Sequence, residues 1–167
     1  MKILYTFLLL VIPLSAFGEE ILRVKGGVAT TMCIGIRPSP VLAAEYETRN
    51  KHTGIGIEVS AHAPYVRDVG QLLVLQVSAI PKVYYKNAYF GCKIGYLGTL
   101  INQEGMDVDD ELGIGAVLGV DFDNFFVETQ TNWADLDLET WREFIPKVEK
   151  RSRLTNWQIM IGKRFEF

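Results

Sequence analysis

The stretch from Trp157 to Phe167 constrains this chain more than any other. Its odd positions are Trp157, Ile159, Ile161, Lys163, Phe165 and Phe167, and its even positions are Gln158, Met160, Gly162, Arg164 and Glu166. One face is apolar apart from Lys163; the other is polar or small apart from Met160. A period of two belongs to a β-strand, whose successive side chains point to opposite faces. Such a strand, running to a terminal Phe, fits the closing strand of a small transmembrane β-barrel. The whole chain should then repeat one code, with apolar side chains outward towards lipid and polar or glycine residues inward.

Seven further segments carry that code. The first runs from about Lys25 to Arg37, with Val28, Thr30, Met32, Ile34 and Ile36 outward and Thr31, Cys33, Gly35 and Arg37 inward. Pro38-Ser39-Pro40 is expected to stop it, because proline cannot donate to a ladder. The second spans Val41 to Arg49, with Leu42, Ala44, Tyr46 and Thr48 outward and Glu45, Glu47 and Arg49 inward. The third, Gly54 to His62, places Ile55, Ile57, Val59 and Ala61 against Gly56, Glu58, Ser60 and His62. The fourth, Gln71 to Tyr85, contains Pro81, where a bulge or bend is expected. The fifth, Tyr89 to Leu100, sets Phe90, Cys92, Ile94 and Tyr96 outward and Gly91, Lys93 and Gly95 inward. The sixth, from Leu112 to Phe122, alternates Leu112, Ile114, Ala116, Leu118, Val120 and Phe122 with Gly113, Gly115, Gly119 and Asp121. The seventh runs from Phe125 to about Trp133, with Glu128, Gln130 and Asn132 inward.

The connections sort by length. Asn50–Thr53, Lys86–Ala88 and Asp123–Asn124 are short, as periplasmic turns should be. Ala63–Gly70, Asn102–Glu111 and Ala134–Arg153 are long, as outer loops should be, while Pro38–Pro40 is short for its side. Tyr85, Tyr89, Phe90, Phe122, Phe125, Phe165 and Phe167 fall at the turn ends of their strands, and Trp133 and Trp157 fall at the other end. Two aromatic girdles are therefore expected.

Length and charge exclude other classes. The chain has 167 residues, enough for one domain. Lys2, the apolar run Ile3 to Ile12, Pro13 and the small residues Ala16 and Gly18 read as a cleavable signal peptide over residues 1–18. Residues 19–167 are then the barrel. No later segment approaches the ~20 continuous apolar residues of a spanning helix. The longest, Leu72 to Ile80, is broken by Gln76 and Ser78. The formal net charge is −3 and no basic block suggests nucleic acid as a partner.

With these features together, the chain resembles the OmpA/OmpX-type family of small outer-membrane barrels over about Val24 to Phe167. The resemblance implies an all-β, eight-stranded antiparallel up-and-down barrel in the bacterial outer membrane, without a cofactor. It also implies that Phe165 and Phe167 form the terminal signal met by the barrel-assembly machinery. Lys163 departs from the usual aromatic or apolar residue there, although a long lysine near the interface can snorkel.

Five groups of residues are candidate sites. Glu45, Glu47, Glu58, Asp121, Glu128 and Glu166 face the same interior as Arg37, Arg49, Lys82, Lys93 and Arg164. An eight-stranded barrel is just wide enough for side chains, so these should form a salt-bridge and water network, with a gated ion path as the alternative. Catalysis would need a base beside a nucleophile. Of the two histidines, His52 lies in a turn and His62 lies two residues beyond Ser60 on one face, without a His-x-Ser-Asn-type motif. No catalytic residue is assigned, and a lipid-modifying enzyme using His62 is the minor alternative. Cys33, inward on the first strand, and Cys92, outward on the fifth, should be two free thiols. The acidic run Asp107 to Glu111 lacks the glycine and spacing of a calcium loop, so no metal is assigned. The last outer loop places Trp141, Phe144 and Ile145 between an acidic group and the basic residues Lys147, Lys150, Arg151 and Arg153, with a helical turn possible over Leu138 to Phe144. That loop is the expected contact surface, for a surface protein partner or for lipopolysaccharide phosphates. The expected role is structural or adhesive.

Overall fold

The computed structural model describes residues 18–31, 38–63, 65–66, 70–71, 73–99, 106–108, 111–142 and 145–167. Residues 1–17 of the expected signal peptide, Cys33, Arg37 and Phe144 lie outside them. Eight long strands follow in order: β1 Glu19–Thr31, β2 Pro38–Arg49, β3 Thr53–His62, β4 Val74–Tyr85, β5 Ala88–Thr99, β6 Glu111–Phe122, β7 Phe125–Arg142 and β8 Ile145–Glu166. Each pairs antiparallel with the next, and β8 returns to pair with β1 from Ile21↔Glu166 to Thr31↔Asn156. The sheet is closed, so the barrel body has no free edge.

The stagger can be followed through the pairing. Glu19 partners Arg49, then Gly54, Lys82, Gly91, Val117, Gln130 and Gln158, and the circuit re-enters β1 at Ala29. One turn around the barrel therefore advances ten residues along β1, a stagger that tilts the strands by roughly 35–45°.

The code of the sequence is the code of the wall. Apolar residues on all eight strands stand exposed, among them Val28, Leu42, Val59, Ile94, Leu118 and Ile161. Their same-strand neighbours of opposite parity, including Glu45, Glu58, Lys93 and Glu128, are buried. Trp133 and Trp157 are exposed near the outer ends, and Phe122 stacks on Phe125 across the tight turn at the other end, ring centroids 5.1 Å apart. Lys163 is exposed with its Nζ 5.2 Å from the centre of the Phe165 ring, which supports its long side chain at the rim. Thr48 departs from its outward parity and is buried.

The short-turn end is stitched from one hairpin to the next. Tyr84 N donates to His52 O, Asp121 N to Asn87 O and Arg164 N to Asn124 O. Lys86 and Asp123 open their two-residue turns with φ of 55° and 46°, the left-handed region that tight hairpins need.

Four expectations are corrected. The first strand begins at Glu19, six residues earlier than Lys25, so its inward parity also carries Ile21 and Arg23. Pro38 and Pro40 begin β2 rather than ending the strand before it. Both stand before the first partner on β3, at Val41↔His62, where β1 is the only described neighbour and fewer ladder bonds are demanded. Pro81 produces no bulge. The β4–β5 ladder lapses between Ala79↔Ile94 and Lys82↔Gly91 and resumes in the same register. Tyr89 is not a girdle residue, because its parity turns it into the lumen, where it is 2% exposed.

Gly119 makes room for that ring: a Cβ there would collide with Tyr89, whereas one on Gly26 would meet only Leu42 Cδ2 at 3.2 Å. Gly119→Val should therefore lower unfolding stability by about 1–3 kcal/mol, the usual cost of overpacking. Gly26→Val should cost much less. Urea titration followed by the heat-dependent gel shift of the folded barrel measures both.

Candidate functional site

Three regions bear candidate residues: the charged lumen, the mouth at the short turns, and the strands that continue beyond the barrel at the other end.

The lumen is built in tiers. Nearest the mouth, Asp121 accepts from Arg23 Nη1 at 2.7 Å, Arg164 Nη1 at 3.1 Å and Arg49 Nη1 at 3.3 Å. Arg23 turns its Nε to Glu47 at 3.0 Å, and its guanidinium lies 5.0 Å from the Tyr89 ring centre and 4.8 Å from that of Phe126. In the next tier Lys82 Nζ donates to Glu47 at 2.9 Å and to Glu45, while Tyr84 Oη donates to Glu47. Lys25 Nζ then meets three carboxylates, Glu45 at 2.9 Å, Glu128 at 2.6 Å and Glu58 at 2.5 Å. Lys93 closes the series, donating to Glu58 at 2.5 Å and to Gln130 Oε1 at 2.7 Å.

Four cations, Arg23, Lys25, Lys82 and Lys93, and four anions, Glu45, Glu47, Glu58 and Glu128, have fully buried side chains. Buried charge is tolerable when paired and hydrogen-bonded on every side, which this set achieves. The oxygens of Glu45, Glu58 and Glu128 lie within 4.8 Å of one another, close enough to hold a metal ion. Here the Lys25 ammonium supplies the positive charge. The arrangement neutralises this part of the interior and leaves none of these eight charged groups free to coordinate a solute.

Six of the sequence-predicted lumen residues, Glu45, Glu47, Glu58, Lys82, Lys93 and Glu128, belong to this enclosed set. Asp121 and Arg164 sit at its mouth, and Arg37 is outside the described residues. Glu166 is corrected: it lies at the exposed rim, 2.8 Å from Arg164 Nη2, because β8 has run past the last enclosed tier. Arg23, Lys25 and Tyr89 were not foreseen as part of the network. All three have odd, inward parity on their strands; Lys25 already stood at the start of the expected first strand, and extending that strand back to Glu19 adds Arg23.

A pocket of about 570 Å³ opens at the short-turn mouth, lined by Arg49, Lys51, Tyr84, Lys86 and Asp121 among others. Asp121, the partner of the buried Arg23, is part of that lining. The guanidiniums of Arg49 and Arg164 are both engaged with Asp121, and with Glu19 and Glu166 respectively.

His62 is 1% exposed, with its Nε2 3.4 Å from Asn156 Nδ2. Ser60 Oγ has no hydrogen-bond partner, so the two residues do not form a nucleophile–base pair. Cys92 is exposed on the outer face of β5.

The last outer segment is not a loop. β7 loses β6 as a partner after Trp133↔Ile114, yet stays paired with β8 from Ala134↔Leu154 to Arg142↔Ile145. Ala134–Arg142 and Ile145–Arg153, including Trp141, Lys147, Lys150 and Arg151, thus belong to a two-stranded arm, and over Leu138–Arg142 the expected helical turn is a strand. The register sets Asp135 opposite Arg153 and Asp137 opposite Arg151, so opposite charges oppose along the ladder. Met106–Val108, inside the acidic outer segment, adds a third strand against Leu138–Thr140.

No protein-family model and no curated protein matches the chain. Solved structures do match its fold. The chain is similar to Neisserial surface protein A, with a TM-score of 0.61 at 10% identity over 89% of this chain and 97% of that one. It is similar to the outer membrane protein OprG from Pseudomonas aeruginosa, with a TM-score of 0.58 at 14% identity over 90% and 97%. It is also similar to Ail, the attachment invasion locus protein of Yersinia pestis, with a TM-score of 0.52 at 14% identity over 89% and 99%. Ail has also been solved with the heparin analogue sucrose octasulfate. At these identities the likeness establishes the fold, that of small eight-stranded outer-membrane barrels, which is the fold expected from the OmpA/OmpX-type resemblance.

Removing Lys25 should show how far the lumen depends on it. Lys25→Met leaves three carboxylates facing one another and should lower stability by about 3–5 kcal/mol. Adding Glu58→Gln in the same molecule should recover part of that loss. A double-mutant cycle from urea midpoints reads the coupling, and additive effects would mean that the contact carries no weight.

Proposed function

We propose that this chain is an integral protein of the bacterial outer membrane whose barrel is a solute-tight mount for the β7–β8 arm, held outside the cell as a contact surface. The residues of 1–18 act as the export signal, and Phe165 and Phe167 present the terminal strand to the barrel-assembly machinery. The role is structural and adhesive, without cofactor, metal or catalysis.

One observation carries the reading: the strands do not stop where the barrel stops. Ala134 to Thr140 remain laddered to β8 beyond the last β6 partner and Arg142 pairs again after a register shift at Trp141, so the extension covers roughly 30 Å of extended chain at strand rise. Ordered backbone of that length has no part in closing the barrel. Its sequence carries Asp135, Asp137 and Glu139 on one strand and Lys147, Lys150, Arg151 and Arg153 on the other, with Trp141 near the tip. Aromatic and arginine residues are those that dominate contact surfaces. The partner is a surface protein or the phosphate groups of lipopolysaccharide. The Ail structure with a sulfated sugar analogue lends weight to an anionic partner.

The exposed apolar belt on all eight strands supports membrane insertion, since a patch of that extent is unstable in water. Short turns at one end and long connections at the other support the orientation. The lumen tiers argue against the rival reading, a narrow ion channel, because every enclosed charge is engaged by another. The separation of His62 from any hydroxyl partner argues against a lipid-modifying enzyme.

Replacing residues 136–152 with an Asn-Gly turn should leave the heat-dependent gel shift unchanged. The same variant should reduce binding of expressing bacteria to immobilised heparin and to cultured epithelial cells. Undiminished binding would overturn the arm as contact surface. Current steps in planar bilayers that disappear in Lys93→Met would replace the proposal with the channel.

A further inference from the structure

Charge at the short-turn mouth is uneven around one oxygen. Asp121 Oδ2 accepts from Arg23 Nη2 at 3.1 Å, from Arg164 Nη1 at 3.1 Å and from Arg49 Nη1 at 3.3 Å. Three guanidiniums thus share a single carboxylate, and of the three only Arg23 has a second buried anion, Glu47. The other acids that Arg49 and Arg164 meet are Glu19 and Glu166, whose side chains are 67% and 53% exposed. Pairs with partners so well solvated are weak and screened. Asp121 therefore holds the two arginines in place, and each keeps N–H donors beyond it, since a guanidinium carries five.

Arg49 ends β2 and Arg164 lies near the end of β8, the two strands that flank β1. Because both bind the same oxygen, their Nη1 atoms can be no farther apart than those two hydrogen bonds laid end to end, so one tetrahedral anion can touch both. Both arginines line the pocket of about 570 Å³. So do Lys51 and Lys86, exposed on the first two short turns and without a carboxylate partner among the described residues. The acids of the lining are Asp121, already claimed three times, and the exposed Glu19 and Asp123. Tyr84 forms an apolar wall, with the Arg49 guanidinium 5.0 Å from its ring centre, and Asn50 and Asn87 add neutral amides. A space of this size takes more than an inorganic ion.

We propose that the short-turn mouth is a binding pocket for the phosphate monoester group of a small ligand, held by Arg49 and Arg164 with Lys51 and Lys86 at the rim. A dianion matches two guanidiniums and two ammoniums better than a monocarboxylate does, and the planar fork of arginine fits phosphate oxygens. The ligand displaces the solvated side chains of Glu19 and Glu166, while Asp121 keeps both arginines aimed at it. The Tyr84 ring and the two asparagines remain for the rest of the molecule. Export cleavage after residue 18, proposed above, takes Gly18 from the rim and leaves an amino group on Glu19, which adds to the same positive charge. The pocket lies at the end opposite the arm, so the phosphate site and the contact surface stand or fall separately.

Calorimetric titration tests this. The exported protein, in an uncharged detergent at low ionic strength, is titrated with glucose 6-phosphate and with dihexanoyl phosphatidate below its micelle concentration. Glucose and gluconate are the neutral and monoanionic controls. At least one of the two phosphate monoesters should bind at least about tenfold more tightly than gluconate, and Arg164→Gln should weaken that binding at least about tenfold. Lys51→Gln combined with Lys86→Asn should weaken it about three- to fivefold and leaves the Asp121 cluster intact, which keeps the test open if Arg164→Gln does not fold. Asparagine is used at position 86 because the backbone φ there is 55°. Lys163→Gln removes an exposed lysine that does not line the pocket and should bind as the parent does. Binding of glucose 6-phosphate assigns a soluble ligand, and binding of phosphatidate alone assigns a lipid headgroup; either upholds the phosphate site. Failure of both to bind, equal binding of gluconate, unchanged affinity in the pocket variants, or an equal loss in Lys163→Gln overturns it.

Discussion

An ammonium held by three carboxylates sets the terms for this barrel. Lys25 comes from β1, Glu45 from β2, Glu58 from β3 and Glu128 from β7, so one contact ties the first strands to a strand 103 positions later. The ten-residue stagger makes this possible, because it brings distant sequence positions to one height inside the wall. Taking four charges out of water is costly, and the attraction among them repays that cost only when the geometry is complete. The surrounding tiers complete it. Arg23 and Lys82 satisfy the carboxylates nearer the mouth, and Lys93 with Gln130 satisfies Glu58 from the other side.

Glycines are the counterpart of these long side chains. A Cβ on Gly56 would strike the Glu45 carboxyl, and one on Gly119 or Gly162 would strike the rings of Tyr89 or Phe126. A barrel of eight strands has little interior, so every inward aromatic or charged residue needs a small neighbour across the ladder. The inward parity therefore reads as large-polar against glycine, and the two choices are one packing decision made on adjacent strands. Aromatic faces then serve the cations. Arg23 lies between Tyr89 and Phe126, and Lys82 lies 4.8 Å from the Tyr89 ring centre.

Much of this was legible in the sequence, for a definite reason. A wall one strand thick with two different sides writes its parity onto every segment, so β3, β5 and β6 could be placed to within about one or two residues. The ends of strands were harder. Arg23 lies beyond the point where outward apolar residues made the first strand visible, and Pro38 and Pro40 suggested a stop where a ladder with one described neighbour could accept them. The arm looks like a loop in the sequence because its alternation changes sign. Odd positions are apolar at Trp157, Ile159 and Ile161 but acidic at Asp135, Asp137 and Glu139, while Leu136 and Leu138 take the even positions. Backbone pairing continues across that change, so the strand runs on where the apolar alternation ends. Nothing in parity could have separated the paired charges of the lower lumen from the unpartnered amides of the upper lumen, since both are simply polar and inward.

That vertical separation has a consequence for how the molecule can change. The ion tiers lie with the stitched turns, where Tyr84, Asp121 and Arg164 each donate a backbone bond to the preceding turn and also hold a lumen charge or border one. Replacing a residue there disturbs closure, packing and charge balance together. At the outer end short amides, hydroxyls and His62 are buried among the apolar side chains of Ala29, Val41, Val74 and Leu97, with two direct side-chain contacts among the described residues there, and the arm above is held by a ladder of its own. Substitutions in the arm should leave the tiers untouched, because among the described residues no fully buried ion pair reaches beyond Glu128 on β7 or draws on β8. The arm is thus mounted on the end of the barrel whose ion tiers do not depend on it.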